Sequence, residues 1–229
     1  MGYMVLEGGA EFGGRMAEPD LRALELAGGM TARVVVLPTA AAPDLNHRRA
    51  ARNGVDWFTS LGATSVAVAL VIDQSSANDA AIAAMLGQAQ LIYILGGFPG
   101  YLNDTLRDSL CWRSTQEAIA GGGVIAGSSA GAMVLCEHLY DPQTGRLAKG
   151  LGMIPAVCVI PHHDRFGADW VGLLGPKLAG QTLLGIDEQT GAINDGPQGT
   201  WRVYGKGAVT VYHGRESRRF TAGDSFELR

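Results

Sequence analysis

Residues Gly123 to Met133 read GVIAGSSAGAM, and of the two serines only Ser129 has a glycine two residues to either side, Gly127 and Gly131. Gly-x-Ser-x-Gly between an apolar strand, GVIAG, and a helix-forming stretch, AGAMVLCEH, is the pattern of a sharp strand-to-helix turn. Small flanking residues relieve the crowded backbone, and the apex side chain projects from the sheet edge. The chemistry open to such a hydroxyl is nucleophilic attack, with nearby helix N–H groups favouring the charge that develops. Ser128 takes the x position and supports the turn. A helix N-cap or plain small-residue packing is the blander reading. The strand before and the helix after favour the nucleophile.

A serine nucleophile needs a base. Of the five histidines, His47 lies in a polar, arginine-rich helix, His138 follows the serine helix and His213 sits in a C-terminal hairpin turn. His162 and His163 end the apolar run AVCVIPHHD, where an imidazole can face Ser129. Metal binding by this HHD cluster lacks a second cluster at ligand spacing. The turn after LIYILGGFPG places Gly97 at another strand end, and the N–H groups of Gly97 and Ala130 are the candidate oxyanion donors. Three carboxylates compete for the orienting role: Asp164, two residues beyond His162, and Asp141 and Glu137, between serine and histidine.

These residues need a sheet that brings strand ends together. Tyr3–Glu7, Arg33–Leu37, Ser65–Val71, Leu91–Leu95, Gly123–Ala126 and Val157–Pro161 read as strands, continuously apolar as in a sheet covered on both faces. Helical segments fall near Pro19–Ala27, Asn46–Leu61, Ala77–Leu86, Tyr101–Ala120, Ala130–Glu137 and Ala168–Ala179. The alternation predicts an α/β fold of three layers, a mostly parallel central sheet with helices on both faces. After residue 180 short runs separated by glycine turns, among them TWRVYG and GAVTVYHG, predict antiparallel hairpins. One domain, 1–229, suits the length.

Composition narrows the function. The net charge is −4 with no basic block, which argues against nucleic acid and anionic membranes as partners. Cys111, Cys136 and Cys158 are scattered and show no metal-ligand spacing, as expected of free thiols in a reducing cytoplasm. No run is apolar for the roughly 18 residues of a membrane span, and the start of the chain lacks a basic, then apolar, leader pattern. The expectation is a cytoplasmic enzyme that uses no cofactor or metal and takes a short peptide as substrate. The sequence leaves room for a homodimer.

Together the segments LEGGAEF, VVVLPTA, LIYILGGFPGYL, GSSAGAM, VIPHH and LLGIDEQTGAI resemble the serine peptidases that include aspartyl dipeptidase (peptidase E) and cyanophycinase. The resemblance covers nearly the whole chain. It implies a class I glutamine amidotransferase-like fold with a flavodoxin-like core and serine in place of the nucleophilic cysteine. It also implies an exopeptidase-type activity, with Ser129 as nucleophile, His162 rather than His163 as base, and Gly97 and Ala130 at the oxyanion positions. The amidotransferases carry an acid two residues after their histidine, which favours Asp164. Asp187 and Glu188 match the family's GIDE segment, so Glu188, with His163 and Phe98, is a candidate for lining the substrate site. Family members carry Asn or Asp after the paired glycines. Phe98 stands there in this chain, which implies a more apolar pocket and weakens the expectation of an acidic substrate. The longer histidine motif of the cyanophycin-degrading branch survives only in part, as HHDRFG, which argues against cyanophycin itself.

Two other readings use the same residues. An α/β-hydrolase esterase would use Ser129, Asp187 and His213 in the chain order of that fold. A binding or regulatory protein would keep the fold without the catalysis.

Overall fold

The computed structural model describes residues 2–228 and resolves them into two sheets rather than one. The first contains, from its middle to one edge, β1 (Tyr3–Glu7), β5 (Val124–Ser128), β4 (Leu91–Ile94), β2 (Arg33–Leu37) and β3 (Ser65–Val68), all parallel. On the other side of β1 it continues antiparallel through β10 (Thr190–Ile193), β11 (Trp201–Gly205) and β14 (Ser225–Phe226). The second sheet runs β13 (Glu216–Thr221), β12 (Ala208–His213), β9 (Thr182–Ile186), β8 (Ile154–Ile160), β6 (Cys136–Asp141) and β7 (Arg146–Lys149). Only β6–β8 and β8–β9 are parallel within it.

The expected parallel core with antiparallel hairpins is present in the first sheet, but the expectation of a single central sheet is corrected to two. Antiparallel ladders are as numerous as parallel ones, and the run ending at Pro161 belongs to the second sheet. Two helix expectations also change. Tyr101–Ala120 divides into α4 (Pro99–Leu106) and α5 (Leu110–Ala120), because Arg107 is extended and Asp108 turns to φ +59°. The helix after Ser129, α6, stops at Leu135, and Cys136–Asp141 extends as β6.

Strand alternation explains the layers. In β4, Ile92 and Ile94 face one core while Leu91 and Tyr93 face another. The Leu91/Tyr93 core is closed by α1 (Ala17–Leu26) and α2 (His47–Ser60); α2 contributes Phe58, with Ala50 and Trp57 packed against it from the apolar stripe. The opposite core holds α3 (Ala80–Gly87), α4, α5 and α6 together with one face of the second sheet, through Val157, Val159 and Leu184. α7 (Ala168–Leu174) covers the far face of that sheet with Leu174. Two helices carry clear N-caps: Asp79 accepts from the N–H groups of Ala81 and Ile82, and Ser109 from that of Trp112.

Beneath the end of β1 lies a buried pair of acids. Glu7 accepts a hydrogen bond from Tyr93 Oη at 2.5 Å, and Asp20 accepts one from Trp57 Nε1 at 2.8 Å. The second oxygen of each, Glu7 Oε1 and Asp20 Oδ1, is buried without a hydrogen-bond partner, an environment that disfavours the charged form. Burial first, and then Asp20, raises Glu7 well above its ordinary value; burial likewise raises Asp20. The folded protein thus holds protons that the unfolded chain releases above the ordinary carboxylate range. Stability from this source is present at low pH and lost as pH rises through the raised values. Thermal melts of the wild type should fall between pH 5 and 8, and Glu7→Gln should flatten that fall. An equal slope in both proteins would contradict the raised proton affinity of Glu7.

Among the described residues, no helix is long and apolar enough to cross a membrane.

Candidate active site

Ser129 adopts φ +50° and ψ −113°, a conformation costly for a non-glycine residue and held only where the surroundings impose it. The flanking glycines show how the surroundings do so. A Cβ on Gly127 would lie 2.5 Å from the backbone of Gly131, and one on Gly131 would lie 2.2 Å from the carbonyl oxygen of Ile94. Strand end and helix start are thus pressed together with no room for a side chain. That pressure explains the glycines around Ser129.

Ser129 Oγ lies 3.0 Å from His162 Nε2, and His162 Nδ1 lies 2.9 Å from Glu188 Oε1. A carboxylate can only accept, so Nδ1 carries a proton toward Glu188. In the neutral ring Nε2 is then free to accept from the Ser129 hydroxyl. Glu188 is steadied on its other oxygen by Arg165 Nε at 3.1 Å. The hydrogen bond with His162, opposed by burial and reinforced by the bond with Arg165, holds Glu188 below its ordinary value.

Glu188 thus occupies the place for which the sequence put forward Asp164, Asp141 and Glu137, and that expectation is corrected. Past His162, at φ +48°, the chain winds into a tight helical turn. The turn carries Asp164 round to accept the backbone N–H of Glu188 at 2.8 Å. Asp141 accepts from Gln143 N and Thr144 Oγ1, and Glu137 accepts from Ala156 N. Neither reaches the imidazole. His163 points away from Ser129, between Asp187 at 3.3 Å and Tyr212 Oη at 2.8 Å, and does not line the cleft. Phe98 precedes α4 and is likewise absent from the cleft wall. His213 is exposed and lines a cavity elsewhere, and Asp187 is taken up by His163 and Ala208 N, so the esterase set is not assembled.

One short segment ties the three groups together. Past β1, the carbonyl of Glu7 accepts from Ser129 N, that of Gly8 from His162 N and that of Gly9 from Gln189 N, at 3.0, 2.8 and 3.0 Å. Glu11 then accepts from Gly96 N at 2.7 Å, which anchors the paired-glycine turn. Burial, opposed by that N–H, raises Glu11 above its ordinary value. Gly9 supplies clearance as well. Its φ is +111°, and a Cβ there would lie 2.2 Å from His162 Cε1. Gly9→Ala should push the imidazole aside and cost about 10²-fold in kcat/KM, the scale of a 1 Å misplacement. Peptide hydrolysis and circular dichroism together check this; a folded variant with wild-type activity would contradict it.

Two cavities meet at Ser129. One of about 460 Å³ is lined by Gly97, Ala130, His162, Met133, Phe166 and Trp170 among others. The other, of about 230 Å³, is bounded by Gly9, Glu11, Gly96 and Gly97. The N–H of Ala130 begins α6 and has no partner within the helix. Gly97 shares the larger cavity with it.

An α/β fold with a serine–imidazole–carboxylate chain at a cleft defines a hydrolytic class of protein, and comparison with known proteins narrows the class. The sequence profile of Peptidase family S51 matches residues 4–190. Cyanophycinase of Synechococcus elongatus is 30% identical over 230 residues, 94% of this chain and 69% of that protein. Cyanophycinase of Geminocystis herdmanii is 30% identical over 223 residues, 91% of this chain and 79% of that protein. The crystal structure of a peptidase from an acI-B1 Actinobacterium superposes with a TM-score of 0.87 at 29% identity, covering 100% of this chain and 97% of that one. The chain belongs to peptidase family S51, and with that membership it is a peptidase-class hydrolase.

Proposed function

We propose that the chain is a serine-type peptidase that cleaves short peptides from one end. Ser129 Oγ attacks the scissile carbonyl carbon while His162 Nε2 takes the hydroxyl proton. Glu188 keeps the imidazole in the accepting tautomer and stabilises the imidazolium that forms. The N–H groups of Gly97 and Ala130 receive the oxyanion. Collapse of the tetrahedral intermediate breaks the C–N bond, and His162 returns the proton to the leaving amine. Water, deprotonated by the same imidazole, then releases the acyl group from Ser129.

The observation that carries this reading is the continuous chain Ser129–His162–Glu188, at 3.0 and 2.9 Å, at the meeting point of two cavities. Hydrogen-bond reach between nucleophile, base and orienting group is the geometric signature of an activated serine. A library of dipeptides and tripeptides with free and blocked termini tests it. Turnover of a subset by the wild type, absent in Ser129→Ala, supports the proposal. Equal turnover by both proteins would overturn it.

A further inference from the structure

The larger cavity beside Ser129 has a wall of unusual composition. Met133, Phe166 and Trp170 line it with Pro99 and Pro142, and Gln143 is the polar side chain that joins them beyond the reacting pair. No lysine or arginine lines it. Arg165, next to Phe166 in sequence, is spent on Glu188 and otherwise faces solvent. The aromatic wall is anchored from behind. Trp170 packs edge-on against Tyr140 at 4.9 Å, Phe166 packs against Trp170 at 5.7 Å, and Phe166 stacks on His162 at 5.1 Å. Phe166 nevertheless leaves 49% of its surface exposed, an open apolar face directly beside the imidazole.

We infer that this cavity selects substrates carrying an uncharged, apolar or aromatic side chain next to the scissile bond, with Phe166 and Trp170 setting the choice. The inference rests on the proposed role of Ser129 and adds the substrate class. A substrate carboxylate placed here would leave water for a wall with no lysine or arginine, while the Glu188 carboxylate already holds the imidazole at its edge. An unpaired charge in such a place is strongly disfavoured. An aromatic or branched aliphatic side chain would cover Phe166 and Trp170 and gain the stabilisation of apolar burial.

The test is a matched dipeptide panel with Phe, Leu, Asp, Glu or Arg at each position in turn, measured as kcat/KM. The wild type should favour Phe or Leu over Asp and Glu by about 10²-fold, the scale on which apolar pockets discriminate. Phe166→Arg should shift the ratio of acidic to apolar turnover by at least about 10-fold toward acidic substrates, and Trp170→Ala should reduce the apolar preference. Each ratio is internal to one protein, so a lower fraction of folded enzyme cancels. Wild-type preference for Asp, Glu or Arg, or a ratio that Phe166→Arg does not move, would overturn the inference while leaving Ser129-dependent hydrolysis standing. Turnover that survives Ser129→Ala would instead remove the underlying reading.

Discussion

Ser129→Ala should lower kcat on the best peptide by roughly 10⁴–10⁶-fold, the loss seen when the nucleophile is taken from a serine hydrolase. The variant removes one oxygen and leaves everything that shapes the turn. Ser129 N still donates to the carbonyl of Glu7, and Gly127 and Gly131 still pack without side chains. Its melting temperature should therefore stay within a few degrees of the wild type. The retained fold is what makes the activity loss informative. Any residual turnover would come from the oxyanion donors and from binding alone, which do not need the hydroxyl.

Glu188→Gln should cost about 10³–10⁴-fold in kcat with a small change in KM. The reason is the tautomer. The carboxylate accepts from Nδ1 at 2.9 Å, which leaves Nε2 bare toward Ser129. A glutamine that turns its NH₂ toward Nδ1 donates instead, places the ring proton on Nε2 and removes the acceptor that Ser129 needs. A loss of about 10⁴-fold accompanies the same change of carboxylate to amide in a well-studied triad. Asp164→Asn is the control. Asp164 touches only the backbone N–H of Glu188 and the exposed Arg165, so its loss should cost about 10-fold or less. Steady-state kinetics on the two variants separates the acids; a silent Glu188→Gln beside a dead Asp164→Asn would reverse the assignment.

Of the three carboxylates the sequence leaves open, the likeness to amidotransferases favours Asp164 by its spacing from His162. Spacing of two along an extended chain places side chains on one face, which would set Asp164 beside His162. His162 instead enters the left-handed region and the chain winds into a turn, a tertiary constraint imposed by the bond from His162 N to Gly8. The signal for Glu188 was present but depended on strand pairing. β8 ends at Ile160 and β9 at Ile186, and the two are parallel neighbours with Ile160 opposite Gly185. His162 and Glu188 each lie two residues beyond their strand, on the same edge. No local pattern shows that β8 pairs with β9 outside the first sheet, because a strand buried on both faces is equally apolar in either sheet. The parallel strands of the first sheet and the tail hairpins were legible for the opposite reason: apolar runs and glycine turns mark them directly. β6 was hidden because CEHLYD continues a helix-forming stretch without a glycine or proline to end it. The partners of the clamp at Glu7, Gly8 and Gly9 were invisible because its bonds are made by backbone carbonyls; the paired glycines mark the tight space but not what fills it.

Reaction with a fluorophosphonate, followed by peptide mapping in a mass spectrometer, bears most directly on whether this hydroxyl is activated. The account predicts a single covalent adduct on Ser129 under native conditions, lost on unfolding and strongly slowed in His162→Ala. No adduct, or one that forms at the same rate without the imidazole, would contradict it.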